Sequence, residues 1–282
     1  HESGASNMAE AWGKLTGIPG IAFVTRGPGA CHASIGIHTA MQDSSPMIVF
    51  IGQINSKHKG REAFQEVDYF KMFGPPFSKG VFEVTRAKNI TTTIQKAFHL
   101  ATDGRPGPVI ISLPEDMLEE YTDYKTIKPL KPIINKVSEN SLKQIVTHIE
   151  ASKKPLIIIG GGDWGKNGAK DLEYFANKNK IPYAVSFRRQ SLVNNHSNFY
   201  IGDLSTSVDP NLIKSVKESD LLLVVGARLG EMTTSGYSTV KVTQKNKIIH
   251  IYPDKKELGK VFSPILGIKA NSNIFSSSIK NK

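Results

Sequence analysis

Apolar residues fall along this chain in short blocks, IAFV at 21–24, MIVFIG at 47–52, VIISL at 109–113, PLIII at 155–159, LLLVV at 221–225 and KIIHIY at 247–252. Between them lie polar stretches whose apolar positions recur every three or four residues. Blocks too short for a helix and bounded by glycine or charge suit buried strands, and the intervening period suits amphipathic helices. The pattern predicts strands at 20–25, 47–52, 81–84, 109–113, 155–159, 182–186, 220–226 and 247–252. It predicts helices at 6–15, 30–42, 67–73, 89–101, 139–151, 168–177 and 210–216. Strand and helix in alternation imply parallel strands joined by crossover helices, hence an α/β fold with two doubly wound parallel-sheet domains.

The alternation breaks after Pro114, where Pro129, Pro132 and several lysines read as an extended linker. The expected division is a first domain over 1–120, a linker over 121–137 and a second domain over 138–282. The closing tract SNIFSSSIKNK has no strong period and reads as a frayed end or the start of a linker. The opening HESGASNMAE has neither an initiator methionine nor a signal-peptide pattern, so the start reads as internal to a longer chain.

Composition narrows the function classes. With 282 residues, 39% of them hydrophobic, the chain can bury a sizeable core. No apolar run approaches the roughly 20 residues that cross a bilayer, so no membrane role is expected. Residues 1–120 carry 11 basic and 12 acidic side chains and residues 121–282 carry 25 and 13, so the whole excess of +11 lies in the second part. Its lysines stand singly among polar residues without interleaved aromatics, the mark of a solvated surface rather than a nucleic-acid site. The single cysteine, Cys31, excludes an internal disulfide. No Cys and His spacing suggests a zinc site, and a cytoplasmic setting is expected.

Candidate chemistry lies in the first part. Glu2 heads the run HESGASNMAEAWGKLTG at the mouth of a helix, and is followed by TRGPGA at 25–30, MQDSSPMIVFIGQ at 41–53, REAFQEVDYF at 61–70 and DGRPGPVIISLPEDM at 103–117. Taken singly, each has an ordinary reading: a helix-end acid, a Gly-Pro-Gly turn, an apolar loop anchor, a surface arginine. In this order they resemble the pyrimidine-binding domain of the acetolactate synthase and pyruvate oxidase family of thiamine-diphosphate enzymes.

That resemblance implies roles. Glu2 becomes the catalytic carboxyl that activates the cofactor by exchanging a proton with its pyrimidine ring nitrogen, a task suited to a water-poor site and a raised pKa. Gly27, Pro28 and Gly29 let backbone approach the ring. Phe64 shapes the pocket at the reacting end, Gln65 hydrogen-bonds substrate or intermediate, and Arg105 contacts a bound FAD in the synthases. Where the family has an asparagine just past the glycine turn, this chain has Cys31 and His32.

In the second part, Gly160, Gly162 and Gly165 fit G-x-G-x-x-G after a strand, a setting for pyrophosphate at a helix start. The acid expected near the end of the next strand in an NAD site is replaced by SFRRQ, whose Arg188 and Arg189 would suit an NADP phosphate, so an NADP-binding oxidoreductase is the distant alternative. PLIIIGGG, SDLLLVVGARLGEM and KIIHIYPDKKELGKVF also resemble the family's middle domain, which binds FAD in some members, ADP in others and nothing in the rest. GARLGEM and SFRRQ depart from the flavin-binding pattern. The family's Gly-Asp-Gly magnesium motif is absent from the 282 residues, and Gly202-Asp203-Leu204 reads as a turn. The resemblance therefore implies a diphosphate domain with its magnesium beyond Lys282, a homodimer or homotetramer, and a 2-oxo acid substrate. The implied activity is an acetolactate-synthase-like carboligase, with a decarboxylase or oxidase of the same family as the alternative.

Overall fold

The computed structural model describes residues 1–123, 126–130, 133–241, 243 and 247–282. It divides into two compact units, His1–Ile133 and Ile134–Lys282. Pro132 of the expected linker lies outside the described residues.

The first unit runs α1 (Glu2–Thr16), β1 (Gly20–Val24), α2 (Pro28–Asp43), β2 (Met47–Gln53), α3 (Tyr69–Phe73), β3 (Gly80–Glu83), α4 (Ile90–Thr102), β4 (Pro108–Pro114) and the short α5 (Glu115–Leu118). Its four strands are all parallel, in the order β1-β2-β4-β3. Successive side chains of a strand face opposite sides, and the two central strands bury both: Val49, Ile51 and Ile110 join a core with Ala33 and Ile37 of α2, whereas Ile48, Phe50, Val109 and Ile111 join one with Ala97 and Ala101 of α4.

The helices α1 and α2 meet through small residues. Ser6, Ala9 and Gly13 are buried on α1, and Ala33, Gly36 and Ala40 on α2. A Cβ on Gly36 would overlap Ser6, within 2.6 Å of its backbone carbonyl carbon. This seam brings the start of α1 beside the start of α2.

The second unit contains α6 (Glu139–Glu150), β5 (Pro155–Ile159), α7 (Gly168–Lys178), β6 (Tyr183–Ser186), β7 (Tyr200–Leu204), α8 (Pro210–Glu218), β8 (Leu221–Val225), β9 (Lys247–Tyr252), β10 (Leu266–Lys269) and α9 (Ser272–Ile279). Its parallel sheet has the order β10-β9-β8-β5-β6-β7. The chain leaves β5 toward β7 and then returns to β8 on the other side, so the switch in direction falls between β5 and β8.

Both units are parallel-sheet α/β, as the alternation implied, with four local corrections. The first helix begins at Glu2 rather than residue 6, with His1 as N-cap accepting from the Ser3 N–H at 3.2 Å. The Gly202-Asp203-Leu204 segment lies within β7 and is not a turn. The edge strand β10 carried no recognisable block. The closing tract is not frayed: Ser272, Phe275, Ser276 and Ile279 form the buried stripe of α9, a helical period hidden by its serines. Among the described residues no helix is long and apolar enough to cross a membrane.

Candidate functional site

Glu2 occupies the first turn of α1, and its two carboxylate oxygens have different surroundings. Oε2 lies 3.1 Å from His32 Nδ1 on α2. Oε1 faces Gly29, where an added Cβ would stand 3.6 Å from it and 2.9 Å from Thr25 Cγ2. One oxygen is therefore held by a ring nitrogen, and the other looks over a residue without a side chain. The side chain remains 33% exposed. Its pKa is lowered, first by a hydrogen bond from its own backbone N–H and then by the bond to His32. The expected rise toward neutrality is thus reversed: the helix start and His32 stabilise the anion more than burial opposes it.

His1, Glu2 and His32 each offer a donor atom within 4.8 Å of the others, the group of metal-type donors found among the described residues. The starts of α1 and α2 converge there, and helix N-termini favour an anion over a cation. The arrangement is better suited to holding a carboxylate than a metal.

The glycine turn follows β1. Gly27 has φ +55, and a Cβ there would come 2.8 Å from Gln65 Cβ. The absence of a side chain thus lets the 60–68 loop close over the turn. Gln65 itself is left-handed, with φ +64, and Phe64 beside it is 78% exposed. Several polar contacts fix that loop. Glu66 accepts from the N–H groups of Gly60 at 2.7 Å and Ala63 at 3.1 Å. Gln53 at the end of β2 donates to the Val67 carbonyl at 2.8 Å. Tyr69, buried in α3, accepts from the Gly27 N–H at 3.0 Å and donates to the Gly52 carbonyl at 3.2 Å. The structure therefore brings Glu2, Gly27, Gly29 and Gln65 together at the carboxyl end of the sheet, where open α/β sheets bind ligands.

The sequence alone does not mark Gln53 and Tyr69 as site residues, because an apolar block and a helix edge hide them. Burial raises the Tyr69 phenol pKa, keeping its proton available to Gly52. Tyr69→Phe leaves a buried N–H and carbonyl without this partner and is expected to cost about 1–3 kcal/mol. A lower urea midpoint with unchanged slope would register it.

Arg105 precedes β4 and reaches the end of α2. Its Nε donates to Ser44 Oγ at 3.0 Å and its Nη2 to the Met41 carbonyl. Its guanidinium has a structural task in tying two segments of the first unit.

In the second unit the glycines after β5 are filled by protein. A Cβ on Gly161, which has φ +63, would overlap the carbonyl oxygen of Gly226 at the end of β8. Trp164 Nε1 donates to the Gly160 carbonyl at 2.9 Å. Gly168 at the start of α7 packs on Asn273 of α9, where a Cβ would stand 2.7 Å from the Asn273 Cα. These close approaches give the glycines of this loop a structural task within the fold itself. Of the two arginines, Arg189 is 3% exposed and the Arg188 guanidinium lies 4.9 Å from the Phe187 ring centre.

Asp163 in this loop accepts from Asn271 Nδ2 at 2.8 Å and from the Ser272 N–H at 3.2 Å, tying the loop to α9. Burial nevertheless raises its pKa, against those two bonds. A carboxyl raised by folding contributes stability that is present below its unfolded pKa, near 3.9, and lost as pH rises through the folded value. The isosteric Asp163→Asn should therefore gain on the natural protein as pH rises from about 4 to about 7. Paired thermal melts across that range would follow it, and a constant difference in melting temperature would contradict the assignment.

Residues 142–278 match the family description "Thiamine pyrophosphate enzyme, central domain", and residues 1–72 match "Thiamine pyrophosphate enzyme, N-terminal TPP binding domain". The chain belongs to the thiamine pyrophosphate enzymes. It is 32% identical over 281 residues to an acetolactate synthase large subunit of Haemophilus influenzae, covering 96% of this chain and 48% of that protein. The namesake of Buchnera aphidicola subsp. Schizaphis graminum is 34% identical over 278 residues, with 95% and 48% covered. That of Cyanidium caldarium is 33% identical over 282 residues, with 97% and 48% covered. The chain spans about half the length of the curated relatives it matches.

Glu2, Gly27, Pro28, Gly29, Phe64 and Gln65 fall in the matched N-terminal domain, and Arg105 lies outside both matched spans. The residues present fit a pyrimidine ring: a carboxylate oxygen facing a bare glycine, a turn in which Gly27 and Gly29 carry no side chain, and an exposed aromatic nearby.

Proposed function

We infer that the chain forms part of a thiamine-diphosphate-dependent carboligase that decarboxylates a 2-oxo acid and transfers the resulting aldehyde unit to an acceptor carbonyl. The observation carrying this reading is the Glu2 carboxylate, whose Oε1 faces Gly29 at a place where a ring nitrogen can share its proton. When bound, thiamine diphosphate supplies a carbanion able to add to carbonyl carbon. Glu2 exchanges the proton at the ring nitrogen, the Gly27 to Gly29 backbone leaves room for the ring, Gln65 hydrogen-bonds substrate or intermediate, and Phe64 shapes the pocket at the reacting end.

The diphosphate is held through magnesium, and the active protein is a homo-oligomer in the cytoplasm. The engaged Arg105 and the filled glycine loop favour a central domain used for structure over one that holds FAD or NADP. Incubating the full-length protein with thiamine diphosphate, magnesium and pyruvate tests the reading by product. Acetolactate is expected. Acetaldehyde or acetyl phosphate would move the assignment to a decarboxylase or an oxidase, and no turnover of any 2-oxo acid would remove all three.

A further inference from the structure

We propose that His32 is a positioning residue for Glu2, selecting which carboxylate oxygen meets the cofactor; the inference rests on the thiamine reading above. An ionised carboxylate can only accept hydrogen bonds. With the Glu2 pKa lowered, the His32 ring nitrogen at 3.1 Å from Oε2 carries the proton and donates it into the bond. That bond occupies Oε2 and fixes the rotation of the carboxylate plane. Oε1 is then the oxygen turned toward Gly29 and the ring site.

The His32 ring is itself braced. It packs on the His1 ring, with centroids 4.7 Å apart, and His1 is fixed in turn by its bonds to the Ser3 N–H at 3.2 Å and Ser3 Oγ at 2.8 Å. The neighbouring titratable groups are His1, the N-cap of α1, and Glu2 in its first turn, with Cys31 adjacent on α2. A carboxylate on a flexible stem otherwise presents either oxygen over a range of angles, and proton exchange with a ring nitrogen depends on alignment. The bond runs between residues on different helices, so the seam between α1 and α2 also sets its length.

Only the donor at the δ position is required. Asparagine carries Nδ2 on Cγ just as histidine carries Nδ1, so His32→Asn keeps a donor where the bond needs one, whereas His32→Leu keeps bulk and removes it. The full-length protein and its His32→Leu, His32→Asn and Glu2→Gln variants would be compared by two readouts: calorimetric affinity for thiamine diphosphate, and the rate of deuterium exchange at the cofactor's C2 under saturation. His32→Leu is expected to bind within about threefold of the natural protein but exchange about 10-fold to 100-fold more slowly. His32→Asn should recover most of the rate.

Natural exchange in His32→Leu, with Glu2→Gln slow, would overturn the role of His32 and leave the thiamine reading standing. Equal loss in the asparagine and leucine variants would also overturn it, since the effect would then follow from packing. Fast exchange in Glu2→Gln would show that another group activates the cofactor and would overturn this inference, whereas no binding of thiamine diphosphate by the natural protein would remove the thiamine reading itself.

Discussion

Replacing Glu2 by glutamine is expected to lower turnover of the full-length enzyme by about 100-fold to 10,000-fold, the range for removing a positioned acid–base group. Glutamine matches the carboxylate in shape, and its carbonyl oxygen can still accept from His32. It cannot give or take a proton at the ring nitrogen. The fold should persist, because the substitution keeps the shape of the side chain and removes only one charge from an exposed helix start. Steady-state rates and a thermal melt on the same preparation separate the effects. Retained turnover would show that another group activates the cofactor.

Gly161→Ala should produce the largest loss of stability. Its φ of +63 lies in the left-handed region, where a side chain costs roughly 1–2 kcal/mol. Beyond that strain, the new Cβ would overlap the Gly226 carbonyl, a backbone atom at the end of a central strand with no rotamer to yield. We expect a loss of about 3–5 kcal/mol, of the size seen for strain combined with overpacking, read as a melting transition lowered by about 10 °C. Gly230→Ala is the control, since nothing lies within 4 Å of its added Cβ. Equal behaviour of the two variants would show that the close approach between the ends of β5 and β8 is not needed.

Sequence revealed most where physics acts locally. The central strands announce themselves because both faces are buried and a continuous apolar block results. The edge strands β7 and β10 do not, since Tyr200–Leu204 is mostly half-exposed and Leu266–Lys269 has one buried residue. The period of α9 is masked because Ser272 and Ser276 hold two of its four buried positions. Among site residues, Glu2 and the glycine turn were legible from their order with neighbouring motifs. The Tyr69 bonds to Gly27 and Gly52 were not, because only the fold brings those residues together. The lowered pKa of Glu2 is not legible for the same reason: it depends on the bond from its own backbone N–H at the helix start and on the bond to His32 across the helix pair.

The small-residue contact between α1 and α2 has a consequence for how this enzyme can change. With Ser6 packed on Gly36, the two helices lie too close for an intermediate side chain, so their separation is discrete rather than adjustable. Any enlargement there pushes the whole of α1, and the carboxylate at its tip moves with it. Variation that alters catalysis is therefore available one full helical turn away from Glu2, at a position that touches neither cofactor nor substrate, and a survey confined to pocket-lining residues would miss it.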